Sequence, residues 1–285
     1  MKKNLKGKVL NIECVAKDTV KLQFSTPLRE ICPGQFVSIL IPNKTLRRPF
    51  SVAGFSSMTA FSFNVHSSLR GKRQRRSNPE KLDGEVSCCS NPVNPNDSAV
   101  ITVLFKLKGD GTNYLKSLKI GDDIDYLAPL GNCFTLPETG KKALLIGAGI
   151  GIAPMLYLKK VLADKGVENL LISGFKDEEE VVKGSDRTVI GGSVLDNIQD
   201  VIDEFKPDII YSCGPKIVLE LVCKLAERNG LAAEIAMEKV MACGIGVCRG
   251  CVIKVRDELK GGGAVKNASV CADGPVFSGA EVIWE

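Results

Sequence analysis

Four cysteines, Cys243, Cys248 and Cys251 in "MACGIGVCRGCVIKV" (241–255) and Cys271 in "SVCADGPVF" (269–277), are the residues whose type and spacing point most sharply to chemistry. The pattern is C-x4-C-x2-C, then 19 residues, then C. It begins as the plant-type [2Fe–2S] spacing does, with the fourth ligand arriving from further along the chain. Gly244, Gly246 and Gly250 suit a loop that wraps a cluster and turns its amides toward sulfur. Structural zinc is the rival, although zinc usually pairs two C-x2-4-C knuckles and Cys271 has no near partner. Disulfides are a third reading and chance a fourth. The segment "MKKNLKGKVLNIE" has lysines but no apolar h-region of a signal peptide, so a reducing cytoplasm is the expected compartment and disulfides lose ground. The other seven of the 11 cysteines (14, 32, 88, 89, 133, 213, 223) are scattered, and most are expected to be inert.

Two glycine turns offer a different chemistry. "GAGIGIAP" (147–154) follows an apolar run and opens a helical one. Gly147, Gly149 and Gly151 let backbone come close to a ligand, and a helix N-terminus offers free N–H groups to a pyrophosphate. A tight strand–helix turn with no ligand would have the same look. "YSCGPK" (211–216) is a second such turn: Gly214 and Pro215 permit close approach, and Cys213 stands where its side chain could touch a bound ring. Its plainer reading is a small core residue. "RRPFSVAG" (47–54) holds Arg48, suited to a phosphate fork, and Ser51, suited to a ring edge; by spacing alone it is a surface turn. "KGDGTNYL" (108–115), with Thr112, suits a phosphate or a hairpin equally.

The elements that must position these residues fall into three textures. "DTVKLQF" (18–24), "QFVSILI" (35–41), "TAFSFNV" (59–65) and "AVITVLFKL" (99–107) are short, branched or aromatic runs that predict a β-sandwich or small barrel. From about 140, strand and helix alternate: "ALLIGAG", "IAPMLYLKKVLADKG" closing at Gly166, "NLLISGF", "VLDNIQDVIDEF", "DIIYSC" and "PKIVLELVCKLAERNG". That order predicts a parallel sheet with helices on both faces. The last 50 or so residues hold the cysteines. The expected division is 1–138, 139–235 and 236–285.

Composition limits the alternatives. The chain has 285 residues, 44% hydrophobic and 25% charged, with a formal charge of +5, all ordinary for a globular protein of about two domains. The longest apolar stretch, "ALLIGAGIGIAPML", is too short to cross a bilayer, so no membrane partner is expected. "RGKRQRR" (70–76) lies in a Ser-, Asn- and Pro-rich stretch, 66–98, and reads as a solvated insertion rather than a nucleic-acid site. His66 is the only histidine, which excludes a His-centred triad or a multi-His metal site.

"RRPFSVAG", "GDGT", "APLGNCF", "LLIGAGIGIAPM" and "YSCGP" stand in the order seen in the ferredoxin–NADP reductase superfamily. The tail resembles one branch of it, the electron-transfer subunits of NAD-dependent dihydroorotate dehydrogenase. The resemblance spans roughly 5–60 and 99–285. It implies an antiparallel barrel that binds FAD, a doubly wound α/β domain that binds NAD, and a C-terminal module with a [2Fe–2S] cluster. Arg48, Pro49, Phe50 and Ser51 would hold the flavin and its pyrophosphate, with Leu104, Phe105, Lys106, Gly111 and Thr112 completing the site. Cys213 would lie near the nicotinamide, and Cys243, Cys248, Cys251 and Cys271 would ligate the cluster. Three departures stand out: Lys106 where the family has arginine, Ala128 and Cys133 where it has glycines, and the 66–98 insertion.

The resemblance implies that a partner, an FMN-containing dihydroorotate dehydrogenase catalytic subunit in a heterotetramer of two of each, passes electrons through the cluster and FAD to NAD⁺. NAD rather than NADP is expected because "GFKDEEE" (174–180) sets four carboxylates near the adenosine ribose, where they would repel a 2′-phosphate. A ferredoxin- or hydrogenase-linked reductase subunit is an alternative with the same cofactors. A zinc module engaging nucleic acid is an alternative of another class.

Overall fold

Period-two burial along "TVKLQFST" draws Val20, Leu22 and Phe24 to one side of a strand, and neighbouring strands close around them. The computed structural model of the chain describes residues 3–58, 98–257 and 263–284. The expected strand at 59–65, His66, Cys88, Cys89 and the basic stretch, apart from Ser98, lie outside these residues.

The first part is a closed antiparallel barrel of six strands: β1 (Lys3–Ala16), β2 (Thr19–Thr26), β3 (Phe36–Ile39), β4 (Arg48–Ser57), β5 (Ala99–Lys106) and β6 (Asp123–Leu130), in the order β1-β2-β5-β4-β3-β6. Closure leaves no free edge. Three elements depart from the sequence reading. β1 is a full strand although its lysines and Asn disguise it; β2 and β6 pair with it on either side. "RRPFSVAG" is no surface turn but the start of β4, which is bonded to β3 and β5. "GDGT" forms no hairpin either: it opens helix α1 (Asp110–Ser117).

The second part is a six-stranded sheet. β7 (Lys142–Ala148), β8 (Glu168–Phe175), β9 (Arg187–Ile190), β10 (Ile209–Cys213) and β11 (Ala232–Ala236) run parallel. The edge strand β14 (Val276–Ser278) comes from beyond the cysteines and pairs antiparallel with β11. Helix α2 (Ile152–Asp164) covers one face over Ala143, Leu145 and Leu171. Helices α3 (Ile198–Phe205) and α4 (Lys216–Arg228) cover Leu144, Ile146 and Ile210 on the other. Alternate residues of one strand thus face opposite layers, as a doubly covered sheet requires. α2 also reaches the barrel: Tyr157 and Val161 join its core, and the Tyr157 hydroxyl donates to Ile31 O at 2.6 Å.

The cysteine segment adds a hairpin, β12 (Val252–Arg256) with β13 (Val265–Ser269). Its core is continuous with the sheet, for Leu219 and Cys223 of α4 pack with Ile253, Val270 and Phe277. Among the described residues no helix is long and apolar enough to cross a membrane.

Candidate functional site

The carboxyl ends of β7 and β10 open on the barrel, and between them lies a cavity of about 650 Å³. The position is the one at which open α/β sheets bind ligands. Its floor is set by the two glycine turns pressed together: a Cβ on Gly151 would stand 2.2 Å from Cys213 O. Of the residues expected to bind FAD or NAD, every one but Gly147 lines this cavity. Gly147 is the correction. It sits behind the wall, where a Cβ would come within 2.8 Å of Ile152 Cα, so its bareness serves strand–helix packing.

The barrel side carries the charge. Lys44, Arg48, Lys106 and Lys108 face the cavity there against Asp110, and Lys239 and Glu238 face it from the connection after β11, a cationic excess that suits a bound anion. Arg48 is steadied by donating to Leu46 O at 3.0 Å, and its side chain lies along Gly111. Thr112 serves the turn itself: its hydroxyl accepts from Lys108 N (2.9 Å) and Gly109 N (3.2 Å) and donates to Gly109 O (2.9 Å). The first-turn amides of α1 therefore meet any phosphate, rather than the hydroxyl. Phe50 and Phe105 stack at a tilt, 5.3 Å apart, beneath them.

Cys213 is 8% exposed, and burial, with the Glu238 carboxylate adding to it, pushes its thiol up to about 12. It is a neutral packing surface at neutral pH, not a nucleophile. Sequence reasoning missed Met237, Glu238, Met241 and Pro275, which form a further wall of the cavity. They belong to the connection between β11 and the cysteine loop and to the segment after Cys271, where no periodicity marks them.

A second recess of about 360 Å³ continues from the first, sharing Ala148, Gly149 and Pro215. Lys176 and Glu180 line it, together with Gly191 to Val194. The four-carboxylate argument narrows here. Asp177 accepts from Glu180 N at 3.1 Å, Glu179 pairs with Lys17 at 2.7 Å, and Glu180 pairs with Lys106 at 2.8 Å. Only Glu180 of the four reaches the recess, already partnered and beside Lys176. Lys106 lines the first cavity and Glu180 the second, so their ion pair stands where the two meet.

The cysteine loop is held by its own backbone. Ile245 N and Cys248 N donate to Cys243 Sγ (3.5 and 3.4 Å), Gly250 N to Cys248 Sγ (3.4 Å), Cys271 N to Cys251 Sγ (3.4 Å) and Gly246 N to Cys271 Sγ (3.2 Å). Gly246 is obligatory at its place, with φ at 91° and Ala272 Cβ 2.8 Å from where its own Cβ would be. All four sulfurs are free thiols that receive amide hydrogens, the environment a thiolate cluster needs. The amides of Cys248 and Ile245 bring the half-buried Cys243 down to about 6, while burial raises Cys271 to about 12.

The four thiols sit on one loop and on the turn after β13, each receiving a main-chain amide, a donor set that suits an iron–sulfur cluster. Among the described residues no three His, Cys, Asp or Glu are gathered to hold a single metal ion.

Comparison with known proteins accords with this geometry. Residues 238–283 match the family model described as the iron–sulfur cluster binding domain of dihydroorotate dehydrogenase B. A solved structure of an NADH-dependent reduced ferredoxin–NADP oxidoreductase superposes with a TM-score of 0.71 at 24% identity, over 98% of this chain and 90% of that one. Phthalate dioxygenase reductase gives 0.53 at 17% identity, over 93% and 76%. Both show the reductase fold. In sequence, the dihydroorotate dehydrogenase B (NAD(+)) electron transfer subunit of Listeria innocua is 40% identical over 195 residues, 63% of this chain and 74% of its own length. The subunit of the same description from Caldanaerobacter subterraneus subsp. tengcongensis is 33% identical over 295 residues, covering all of both chains. A relative of that identity along the whole length places the chain in the family of dihydroorotate dehydrogenase B (NAD(+)) electron transfer subunits.

Proposed function

We propose that the chain carries electrons from a dihydroorotate-oxidising partner to NAD⁺, with residues 1–138 holding FAD, 139–235 binding NAD and 236–285 holding a [2Fe–2S] cluster. When bound, these groups supply one-electron transfer at the cluster, exchange between one- and two-electron steps at the flavin, and hydride acceptance by NAD⁺. One observation carries the reading: the cavity and the cysteine loop share a wall. Met241 and Pro275 line the cavity, yet Met241 precedes Cys243 by two residues and Pro275 follows Cys271 by four.

In this reading Arg48 and the amides at the start of α1 hold the flavin pyrophosphate, and Ser51 on β4 meets a ring edge. The N–H groups after Gly149 take the pyrophosphate of NAD, while neutral Cys213 packs against the nicotinamide and keeps water out. Cys243, Cys248, Cys251 and Cys271 would hold the cluster. The exposed Val240 and Val247 on either side of Cys243 suit docking of the FMN-containing catalytic subunit, in a heterotetramer of two of each. Free thiols at the cluster loop suit a reducing cytoplasm.

The test is an anaerobic visible spectrum with iron, sulfide and flavin assays, before and after NADH. Flavin bands, a broad thiolate-to-iron shoulder, about two irons per chain and bleaching by NADH are expected. Colourless protein loaded with zinc would end the redox reading. A loaded protein that accepts no electrons from a dihydroorotate-oxidising subunit would move the reading to another reductase complex.

A further inference from the structure

The barrel turn "GNCF" (131–134) touches the segment after the fourth cysteine through one side chain. Asn132 Nδ2 donates to Val276 O at 2.8 Å and to Asp273 O at 3.2 Å, and Asn132 Oδ1 accepts from Val276 N at 2.9 Å. Its own backbone N–H donates to Gly274 O at 2.7 Å. The side-chain amide thus pairs with both backbone groups of Val276, as a neighbouring strand would. This seam has no slack: a Cβ on Gly131 would lie 2.4 Å from Pro275 Cδ, and one on Gly34 would lie 2.8 Å from Val276 Cγ2.

What the seam joins gives it a meaning. On one side, Ser269 N donates to Asp273 Oδ2 at 2.6 Å, which closes a tight turn around Cys271 and transmits its position to Asp273 and Gly274. On the other, Pro275 forms part of the cavity wall and its carbonyl accepts from Met237 N at 2.8 Å. The barrel turn is itself anchored, with Gln35 Nε2 donating to Gly131 O at 3.1 Å and Phe134 N to Pro33 O at 2.9 Å. We propose that Asn132 is a positioning residue, a strut that fixes the Cys251–Cys271 side of the cluster at a set distance from the flavin wall. It touches neither the cavity nor a cysteine. It acts through Asp273, Gly274 and Val276.

The inference rests on the cofactor reading above, and its consequence is a split between two steps. In the full chain loaded with FAD and iron–sulfur, Asn132→Ala should leave flavin bleaching by NADH within about twofold of the parent. Cluster reduction should slow roughly tenfold, because misplacements of about an ångström are costly to reaction rates. Amide exchange at Val276 should accelerate. Asn132→Asp keeps an acceptor for Val276 N–H but sets a carboxylate oxygen against the Val276 and Asp273 carbonyls; it should slow cluster reduction at least as much as Asn132→Ala, with flavin bleaching again within about twofold of the parent. Cluster reduction at the parent rate in both variants, or both steps slowed by one factor in Asn132→Asp, would overturn the strut. So would unchanged Val276 exchange in Asn132→Ala, whether or not the cofactors are present. A parent protein without flavin or iron would instead sink the cofactor reading.

Discussion

The cavity and the cysteine loop are built on opposite plans. The cavity is assembled from segments as far apart as Phe36 and Pro275, brought together by barrel closure, the parallel sheet and the α2 seam. The loop gathers three of its thiols within nine residues and orients two of them, Cys243 and Cys248, with amides two to five positions away. A site made by tertiary packing spreads its dependence over many side chains. One made by local backbone concentrates it in a few. Substitutions at the two should therefore fail differently.

The largest effect is expected at the loop. Cys251→Ala removes a thiol that is 1% exposed and paired with Cys271. Iron per chain should fall from about two to near zero while flavin content holds. Retained iron would break the distinction, since the loop would then tolerate loss of a ligand. Next comes the cavity floor. Gly151→Ala drives a methyl into Cys213 O and should cost about 1–3 kcal/mol of stability and raise the KM for NADH, with iron unchanged. Loss of iron in this variant would show that the two plans are not separable.

A smaller effect belongs to the ion pair between the two recesses. Glu180→Gln removes the only one of the four carboxylates that reaches the recess and leaves Lys106 and Lys176 to face a 2′-phosphate. The NADPH-to-NADH ratio in kcat/KM should rise roughly tenfold, the scale of one charge across several ångströms of protein. An unchanged ratio would mean that nucleotide choice is made elsewhere. The smallest effect is expected at Glu234 on β11, whose carboxylate accepts from Thr135 N at 2.8 Å. Burial raises this carboxyl above 4.5. A raised carboxyl favours the fold at low pH, and that contribution drains away as pH climbs from the unfolded value through the folded one. Glu234→Gln, which keeps an acceptor for Thr135, should flatten that loss and gain under about 1 kcal/mol near pH 7. Thermal unfolding on either side of pH 5 would check it.

The same contrast explains what could be read from the chain. The cysteine spacing was legible because its geometry is local. The glycine turns were legible because a strand–turn–helix announces itself by hydrophobic period. β1 was not, because its lysines face solvent while pairing with β2 and β6 supplies the strand. Lys106 was singled out by the family resemblance, but its pairing with Glu180 links β5 to the turn after β8 and leaves no trace in either segment. Asn132 sat in plain view within "APLGNCF", yet the backbone it mimics lies 144 positions away.

The antiparallel edge strand β14 also bears on the order of events as the chain is made. Synthesis runs from the N-terminus, so all four cysteines have been made before Val276 to Ser278 can dock on β11 and complete the sheet. The nucleotide-binding sheet thus keeps an open edge until the last cysteine has passed. The β12–β13 hairpin sets Cys271 beside Cys251 by pairing Val252 with Ser269, so the thiols can gather while that edge is still open. An unpaired strand edge is the kind of surface on which chaperones and aggregates both act.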